Sequence, residues 1–309
     1  MGSGLISVPV FESLLNSEEI DLAGAATQED HPCGRGKKTT ATPLGQAASD
    51  HGFPIDKPRT VNSPEFHDRI RKISPDMIFV LSFGQILREA TLSLPRLGCI
   101  NLHASILPSY RGASPISAAI LNGDASTGVS FMKMDKGLDT GPVYRIFEIE
   151  IMPLWTSHDL EMALGVLGAR HSPEILSQIC DGSLQARAQD DHFASHAGKI
   201  RKEDGRISWS EKADAIERKI RAYYPWPGAS FEIVGEGFCV HMKASGASVI
   251  PELAGPPGKI LVSEKGELIV CCGSGALRLE KVIPEGKREM AAEEFLRGFR
   301  YKIEIANIQ

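Results

Sequence analysis

The chain has 309 residues, of which 42% are hydrophobic and 24% are charged. Length and composition are those of a globular protein with one large domain or two ordinary ones. The net charge of −5 excludes a general polycation. Residues 1–198 contain 16 Lys and Arg against 23 Asp and Glu, whereas residues 199–309 contain 18 against 16. A polyanionic partner is therefore expected at a local patch or at the C-terminal part.

The sequence shows no pattern for membrane insertion or secretion. No apolar run approaches the ~20 residues that cross a bilayer, and the N-terminus lacks a charged region followed by an apolar one. The six cysteines are scattered and form no C-x-x-C pair, which is typical of small buried side chains in a reducing compartment. We therefore expect a cytoplasmic protein with no membrane partner, and an organellar location is the alternative.

Residues 1–180 are predicted to alternate between helices and strands. Residues 77–81 form a continuous apolar run between Asp76 and Gly84, which is typical of a strand buried on both faces of a parallel sheet. Pro173 is expected to kink the last of these helices or to split off its final turn. The alternation predicts an α/β domain with a mainly parallel sheet. The predicted helices are 8–15, 63–75, 114–122 and 157–177, and the predicted strands are 20–27, 77–81, 98–100 and 129–134.

The pattern changes after about residue 190. A polar and basic segment predicts a linker, and the apolar positions of residues 213–220 then predict one helix. Short segments between Gly and Pro follow, as is typical of a small β-barrel. Its predicted strands are 230–234, 239–242, 258–262, 268–272 and 276–282. The chain thus divides into an N-terminal domain of residues 1–190, a basic linker of residues 191–206 and a C-terminal β-barrel domain of residues 207–309.

A first cluster of chemically capable residues, Asn101 to Gly112, follows a predicted strand. In extended chain Asn101 and His103 point to the same side, because side chains alternate with a period of two. Both are expected at the carboxyl edge of the sheet, where open α/β folds bind ligands. An amide donor beside a histidine can stabilise an oxyanion next to a carbonyl that is being transferred.

A second cluster, Met134 to Gly141, also follows a strand. The carboxylate of Asp139 lies between two glycines, on a turn from which it can orient a histidine or relay a proton. Taken alone, each cluster is better explained as a turn-capping aspartate and an ordinary buried histidine, because such short strings are common.

Taken together, Asn101-x-His103, Ser105-x-Leu107-Pro108-x-Tyr110-Arg111-Gly112 and Gly137 to Gly141 resemble the folate-dependent formyltransferases. The resemblance covers nearly the whole chain and implies a Rossmann-like N-terminal domain with an OB-like C-terminal barrel. It implies Asn101, His103 and Asp139 as the catalytic residues and 10-formyltetrahydrofolate as the formyl donor, in a reaction that needs no metal. It also implies that folate is bound by Phe83, Gly84, Gln85, Ile86, Leu87, Ser105, Leu107, Pro108, Gly137, Leu138 and Thr140.

Three further features resemble the members of this family that formylate initiator methionyl-tRNA. The segment 27–38 is similar to their tRNA-inserting loop, although it is also explained by a solvated basic loop. The segments 199–200 and 207–209 are similar to their interdomain segment, and Tyr224-Pro225-Trp226-Pro227 to the motif that opens their C-terminal barrel. In that motif Trp226 is also explained as a core residue. The resemblance implies a monomer whose tRNA-binding residues are Arg35, Lys37, Lys38, Lys199, Arg201 and Lys202.

The chain departs from the family's pattern at three places. Family members begin with a central β-strand that is missing here, and its loss is expected to expose the edges of neighbouring strands. Smaller departures are Ile6-Ser7, where the family usually has Phe-Ala, and Arg88, where it often has Pro.

Other interpretations predict different activities. A sugar-nucleotide N-formyltransferase shares the catalytic residues, although the basic segment 34–38 argues against it. A hydrolase of formyltetrahydrofolate is disfavoured because no aldehyde dehydrogenase domain follows. A non-catalytic protein that binds folate or RNA is the alternative from another class. A dinucleotide-binding dehydrogenase is the weakest, since Gly2-x-Gly4 follows no strand and Ser7 stands where the third glycine belongs.

Overall fold

The computed structural model of the protein describes residues 1–33, 38–235, 238–263, 265–303 and 307–308. These residues form two compact units, which are described separately. The N-terminal unit contains residues 1–115, 126–150 and 160–197, and the C-terminal unit contains residues 116–125, 151–159 and 198–309. The chain passes from the first unit to the second after Ala197, within the segment predicted as a linker.

The predicted helices and strands occur in the predicted order, although the strand predicted over residues 20–27 is formed only at Ala25–Ala26. The helix Pro43–Asp50 and the strand Val143–Glu150 are among the elements that were not predicted. The α-helices are α1 Ser7–Leu15, α2 Pro43–Asp50, α3 Pro64–Ile73, α4 Glu89–Leu92, α5 Pro115–Asn122, α6 Ser157–Cys180, α7 Ala213–Ala222 and α8 Ala292–Ile303. Short 3-10 helices occupy Asp191–Phe193 and Lys202–Gly205. The strands are β1 Ala25–Ala26, β2 His31–Cys33, β3 Lys38–Thr40, β4 Ile55–Asp56, β5 Ile78–Val80, β6 Cys99–His103, β7 Arg111–Gly112, β8 Ser126–Lys133, β9 Val143–Glu150, β10 His196–Ala197, β11 Ala229–Gly235, β12 Phe238–Ile250, β13 Ile260–Val262, β14 Leu268–Cys271, β15 Ala276–Pro284, β16 Met290–Ala291 and β17 Asn307–Ile308.

The N-terminal unit has the predicted α/β architecture. β1 pairs with β4 in parallel, and β5 pairs with β6 in parallel with Val80 opposite Asn101. On the other side of β6, β8 and β9 extend the sheet in the antiparallel direction. β6 is buried along most of its length, so its carboxyl end delivers side chains to a defined point on the sheet edge.

Residues Met1 and Gly2 lie between β1 and β5. The amide of Gly2 donates to the carbonyl of Ala26 at 3.0 Å, and the amide of Leu81 donates to the carbonyl of Met1 at 2.9 Å. The Met1 amino group donates to the carbonyl of Phe79 at 2.5 Å. Beside them, a cavity of about 500 Å³ with a mainly apolar lining separates β1 from β5. Within the described residues β1 and β5 are not paired with each other, and Ala26, Ile78 and Val80 on these strands are buried. The predicted exposure of the strand edges is therefore not seen at these residues.

Helix ends agree with the local sequence. The hydroxyl of Ser63 accepts a hydrogen bond from the amide of Phe66, and the proline that follows Ser63 occupies the first turn of α3.

Pro173 does not split α6, which continues to Cys180, so that part of the prediction is wrong. A proline in a helix leaves the carbonyl four residues earlier without its donor. Here the Ser13 hydroxyl donates to the carbonyl of Ala169 at 2.7 Å and replaces the missing bond.

The C-terminal unit is built on an antiparallel sheet with the order β13-β14-β15-β12-β11-β17, and β16 pairs with β15. The predicted helix and all five predicted strands are confirmed, although β12 extends to Ile250. Fully buried side chains of α7, among them Ile216 and Ile220, pack with those of the sheet. The indole of Trp209 meets the ring of Phe231 edge to face, with centroids 5.5 Å apart. The sheet is curled like half of a barrel.

The cysteines are only partly the buried side chains that we predicted. Cys99, Cys271 and Cys272 are buried, whereas Cys180 and Cys239 are exposed, and all five are free thiols. Burial raises the pKa of the Cys99 thiol to about 12. No helix among the described residues is long and apolar enough to span a bilayer.

Candidate active site

Asn101 and His103 lie at the carboxyl end of β6, as the sequence predicts. His103 is buried, with 5% of its surface exposed, and Asn101 is half-buried. The antiparallel pairing of β6 with β8 sets His103 opposite Ser130, whose hydroxyl accepts from the amide of Leu107 at 3.0 Å. The same hydroxyl donates to the carbonyl of Ser105, so the chain after His103 is tied back to the sheet.

Asp139 reaches the same point from the loop that follows β8. Its backbone is left-handed, with φ of +54°. One carboxylate oxygen accepts a hydrogen bond from the amide of Gly112 at 2.8 Å and lies 3.6 Å from Nδ1 of His103. The other oxygen lies 3.5 Å from Nδ2 of Asn101. The structure thus brings together the three side chains that the sequence singles out, with the carboxylate between the amide and the imidazole.

The imidazole of His103 is held in one orientation. Its Nε2 lies 2.9 Å from the carbonyl oxygen of Tyr110. Because a carbonyl only accepts, Nε2 must carry the proton, and Nδ1 therefore faces the Asp139 carboxylate. The Tyr110 carbonyl and the Asp139 carboxylate thus hold the ring from its two nitrogen atoms.

The strand β7 holds the Gly112 amide against Asp139. β7 pairs in parallel with β10, with Gly112 opposite Ala197. Gly112 has φ of +119°, and a Cβ atom there would lie 2.5 Å from the Ala197 carbonyl oxygen. Only glycine fits this backbone and this close approach. The sequence marks Gly112 as a turn residue, but its amide also binds the carboxylate of Asp139.

Gln189 is a positioning residue that the sequence does not reveal. Its Nε2 donates to the carbonyls of Asp139 and Gly141, at 2.9 and 2.7 Å. Its Oε1 accepts from the guanidinium of Arg111, which also pairs with Asp191 at 2.7 Å. Arg111 is buried, so these bonds satisfy a charge that is otherwise costly to bury. Gln189 lies about fifty residues beyond Asp139, in a segment with no recognisable motif.

The loop before Asp139 is closed by Asp135. Its carboxylate accepts from the Thr140 hydroxyl at 2.8 Å and from the Gly137 amide at 2.9 Å. This closure leaves the side chain of Leu138 64% exposed at the tip of the loop.

The residues that the resemblance assigns to folate binding fall into a buried group and an exposed group. Phe83, Leu87, Ser105 and Leu107 are buried and support the loops from within. The side chain of Ile86 is 85% exposed. The partly or fully exposed residues of this set are Gly84, Gln85, Ile86, Pro108, Gly137, Leu138 and Thr140.

The structure describes only some of the residues that the resemblance assigns to tRNA binding. Lys199, Arg201 and Lys202 are exposed on the C-terminal unit and form no ion pair with another described residue. Arg35 and Lys37 lie outside the described residues, as does the side chain of Lys38. Trp226 is 58% exposed, so its alternative interpretation as a core residue is wrong.

Comparison with known families agrees with this site. The formyl transferase family model matches residues 3–176, which contain Asn101, His103 and Asp139. The model of the formyl transferase C-terminal domain matches residues 199–300. The chain belongs to the formyl transferase family.

Curated relatives match along nearly the whole chain. A methionyl-tRNA formyltransferase of Geobacter metallireducens is 40% identical over 300 residues, which cover 97% of this chain and 94% of the relative. A methionyl-tRNA formyltransferase of Sorangium cellulosum is 39% identical over 297 residues, with 96% and 94% covered.

Solved structures share the fold at lower identity. The sugar 3N-formyl transferase WlaRD, solved with dTDP and 5-N-formyl-THF, has a TM-score of 0.63 at 20% identity and covers 90% of this chain and 95% of its own. HypX from Aquifex aeolicus in complex with tetrahydrofolic acid has a TM-score of 0.60 at 17% identity, covering 80% of this chain and 43% of its own.

Proposed function

We propose that this protein transfers the formyl group of 10-formyltetrahydrofolate to the amino group of methionyl-tRNA. The observation that carries the proposal is the meeting of Asn101, His103 and Asp139 at one sheet edge, in a chain of this family. The choice of acceptor is supported by relatives of 36–40% identity that are named methionyl-tRNA formyltransferase. The sugar formyltransferases are supported only by likeness of fold.

The proposed reaction passes through a tetrahedral intermediate. The neutral amino nitrogen attacks the formyl carbon, a new C–N bond forms, and the carbonyl electron pair moves to oxygen. Nδ2 of Asn101 and the imidazole of His103 stabilise this oxyanion. Collapse breaks the bond between the formyl carbon and N10 of the folate. The proton that the amine loses is taken up by N10, so the reaction is balanced without an oxidant or a reductant.

Asp139 has two roles in this proposal. Its position 3.6 Å from Nδ1 of His103 keeps the imidazole oriented beside the developing oxyanion. Its other oxygen is near the Asn101 amide, at the place where the amine proton must leave. The carboxylate accepts that proton and returns it towards N10, and the Gly112 amide keeps it in place.

The loops around the site fit a flat folate ring. Ile86 and Leu138 are exposed apolar side chains on the two loops assigned to folate, where an aromatic ligand can cover them. Gly84 has φ of +75°, a backbone conformation that glycine adopts without strain. The buried members Phe83, Leu87, Ser105 and Leu107 hold these loops from behind.

The remaining features of the proposal concern the acceptor. Phosphates of the initiator tRNA are bound by Lys199, Arg201 and Lys202, and by Arg35, Lys37 and Lys38 of the loop. The curled C-terminal sheet belongs to an OB-like domain of residues 207–309, after a catalytic domain of residues 1–190 and a linker of residues 191–206. The protein acts as a monomer in the cytoplasm, where the formylated product starts translation.

The test is formyl transfer from 10-formyltetrahydrofolate by the purified 309-residue protein. Methionyl-tRNA, free methionine and an amino-sugar nucleotide are offered as parallel acceptors. Transfer to methionyl-tRNA alone is expected. Transfer to the sugar nucleotide instead would reassign the acceptor, and no transfer by a folded sample would favour a non-catalytic protein.

A further inference from the structure

A cavity of about 440 Å³ lies at the outer edge of the sheet in the N-terminal unit. It is lined by residues 143–146 of β9, by most of the segment 184–190, and by Leu107 and Pro108. We call it the edge cavity, because β9 is the last strand of its sheet in the described part of the chain. Its volume is in the range of pockets that enclose small organic ligands.

The edge cavity is separate from the loops assigned to the folate ring. Of the described residues 83–87 and 137–141, which form those loops, none lines it. Only Leu107 and Pro108 belong both to the lining and to the set assigned to folate. A ligand in the edge cavity therefore leaves the two loops free.

The backbone beside the edge cavity is fixed by hydrogen bonds. Val143 and Arg187 exchange both of their backbone bonds, at 2.8 and 2.9 Å, which attaches the segment 184–190 to β9. The amide of Leu184 donates to the carbonyl of Gln178 at 3.1 Å and ties the same segment to the end of α6. The backbone of Arg187 therefore has a defined position before a ligand binds.

The charge of the edge cavity is unbalanced. Its charged lining residues are Arg145, Arg187 and Asp190. Both guanidinium groups are exposed, and neither forms an ion pair or a hydrogen bond with another described residue. The Asp190 carboxylate already accepts a hydrogen bond from the amide of His192 at 3.0 Å. Two guanidiniums without carboxylate partners favour an anion, and the oxygens of a phosphate match the guanidinium fork.

The rest of the lining suits the body of an organic molecule. Leu107, Pro108, Ile146 and Leu184 are apolar residues of the cavity wall. Tyr144 also lines the cavity, and burial raises the pKa of its hydroxyl, which therefore stays protonated at neutral pH and can donate a hydrogen bond. An apolar wall with a few polar groups is typical of pockets that bind small ligands.

We propose that the edge cavity binds an organic phosphate of about the size of a nucleoside monophosphate. The phosphate lies at Arg145 and Arg187, and the ring system lies against the apolar wall. Gln189 lines the cavity and also donates to the carbonyls of Asp139 and Gly141, so the ligand contacts a residue that holds the loop of Asp139. A free nucleotide and the 3′-terminal nucleotide of the acceptor tRNA present the same chemistry to this site.

The experiment titrates the 309-residue protein with 5′-AMP and with adenosine by calorimetry at low ionic strength. We expect AMP to bind about tenfold more tightly than adenosine, because only AMP carries the phosphate for two exposed ion pairs. Arg145→Gln and Arg187→Gln should each lose about threefold of this preference, and the double variant nearly all of it. The affinity for adenosine should stay within about twofold in every variant, because the apolar wall is unchanged.

Arg88→Gln is the matched control. Arg88 is also exposed and forms no ion pair with another described residue, but it does not line the edge cavity. This variant should keep the full preference for AMP. An equal loss in Arg88→Gln would mean that AMP binds to exposed arginines at large, and it would overturn the proposal.

The KM for methionyl-tRNA separates the two sources of the phosphate. If the site takes the end of the tRNA, the double variant should raise this KM by about tenfold, the same factor as for AMP. If the site takes a free nucleotide, the KM should not change. Two further results would overturn the proposal: equal affinity of the wild type for AMP and adenosine, or an unchanged preference in the double variant. Calorimetry needs no turnover, so a failure of the proposed function does not affect this test.

Discussion

The N-terminal unit holds its backbone in two contrasting ways. Around Asp139, polar groups are hydrogen-bonded to one another directly. The Asp139 carboxylate accepts from the Gly112 amide, the Gln189 side chain donates to two backbone carbonyls, and the Arg111 guanidinium donates to Gln189. Between β1 and β5, the chain is held by a few backbone bonds of Met1 and Gly2 beside a mainly apolar cavity of about 500 Å³.

This contrast indicates where a substitution can change catalysis without changing the free energy of unfolding, and where it cannot. At the active site each polar group has a partner, so an isosteric change can remove a charge or a donor and leave the packing intact. At the gap between β1 and β5 few bonds hold the edge, so a change there should alter the free energy of unfolding before it alters chemistry. The first three predictions below each test one side of this comparison, and the last tests a contact between two helices of the same unit.

The largest effect is expected at the side chains that we propose to be catalytic. Asn101→Ala removes the proposed oxyanion donor, and Asp139→Asn keeps an acceptor for the Gly112 amide while it removes the charge beside His103. Both should lower kcat by about 10²–10³-fold with the free energy of unfolding nearly unchanged. The measurements are single-turnover formyl transfer and urea unfolding.

A matched charge change is provided by Asp76→Asn, because Asp76 forms an exposed pair with Arg96. This variant should retain the wild-type kcat. Near wild-type turnover of both Asn101→Ala and Asp139→Asn would show that the catalytic residues are assigned wrongly.

The next largest effect is expected at Gly112, where one substitution should change both the free energy of unfolding and kcat. Gly112→Ala places a Cβ atom 2.5 Å from the Ala197 carbonyl oxygen in a backbone of positive φ. Strain and the shift of β7 should lower the free energy of unfolding by about 3 kcal/mol. They also move the amide that holds Asp139, so kcat should fall as well.

Gly198→Ala is the control for this change. No atom lies within 4 Å of a Cβ at Gly198, and its φ is not positive. We expect this variant to unfold and turn over like the wild type. A Gly112→Ala protein with unchanged kcat would mean that the Gly112 amide does not position the carboxylate.

The sequence predicts the parts of this molecule that depend on short-range patterns. The strand over residues 77–81, the capped start of α3 and the placement of Asn101 and His103 on one face follow from local periodicity. Their meeting with Asp139 was implied only by the resemblance to the formyltransferases. Because β8 runs antiparallel to β6, its carboxyl end lies opposite Ile100, and the loop that follows β8 brings Asp139 back to His103.

The remaining features depend on contacts between residues far apart in the chain. Gln189 reaches Asp139 across fifty residues, and β10 pairs with β7 across more than eighty. Neither contact leaves a periodic pattern in the sequence. Pro173 was expected to kink the helix or to split off its last turn. The sequence could not show that α6 continues, because the Ser13 hydroxyl that bonds to the Ala169 carbonyl lies on another helix far away in the chain.

A third prediction concerns pH and the gap between β1 and β5. Burial lowers the pKa of the Met1 amino group from its ordinary value of 8.0 to about 6. The folded protein then holds this proton less tightly than the unfolded chain does. Its free energy of unfolding should therefore fall by roughly 2–3 kcal/mol as pH drops from about 8 to about 6.

Acetylation of the Met1 nitrogen supplies the control, because an amide donates to the Phe79 carbonyl without titrating. The acetylated protein also corrects for every other group whose protonation changes the free energy of unfolding over this pH range. Urea unfolding at several pH values should show a steeper loss on acidification for the free amine. If the free energies of unfolding of the two proteins changed with pH in parallel, the amino group would have to be solvated in the folded state.

The smallest expected effect tests how one hydroxyl compensates for Pro173. Ser13→Ala leaves the Ala169 carbonyl without its donor and should lower the free energy of unfolding by about 1 kcal/mol. In a Pro173→Ala background, the new amide at residue 173 can donate to the same carbonyl, so the cost of Ser13→Ala should fall to a few tenths of a kcal/mol. Urea unfolding of the four proteins gives the coupling energy, for which we expect about 0.5–1 kcal/mol. An equal cost of Ser13→Ala in both backgrounds would mean that the hydroxyl does not replace the missing helical bond, and that α6 tolerates Pro173 through packing alone.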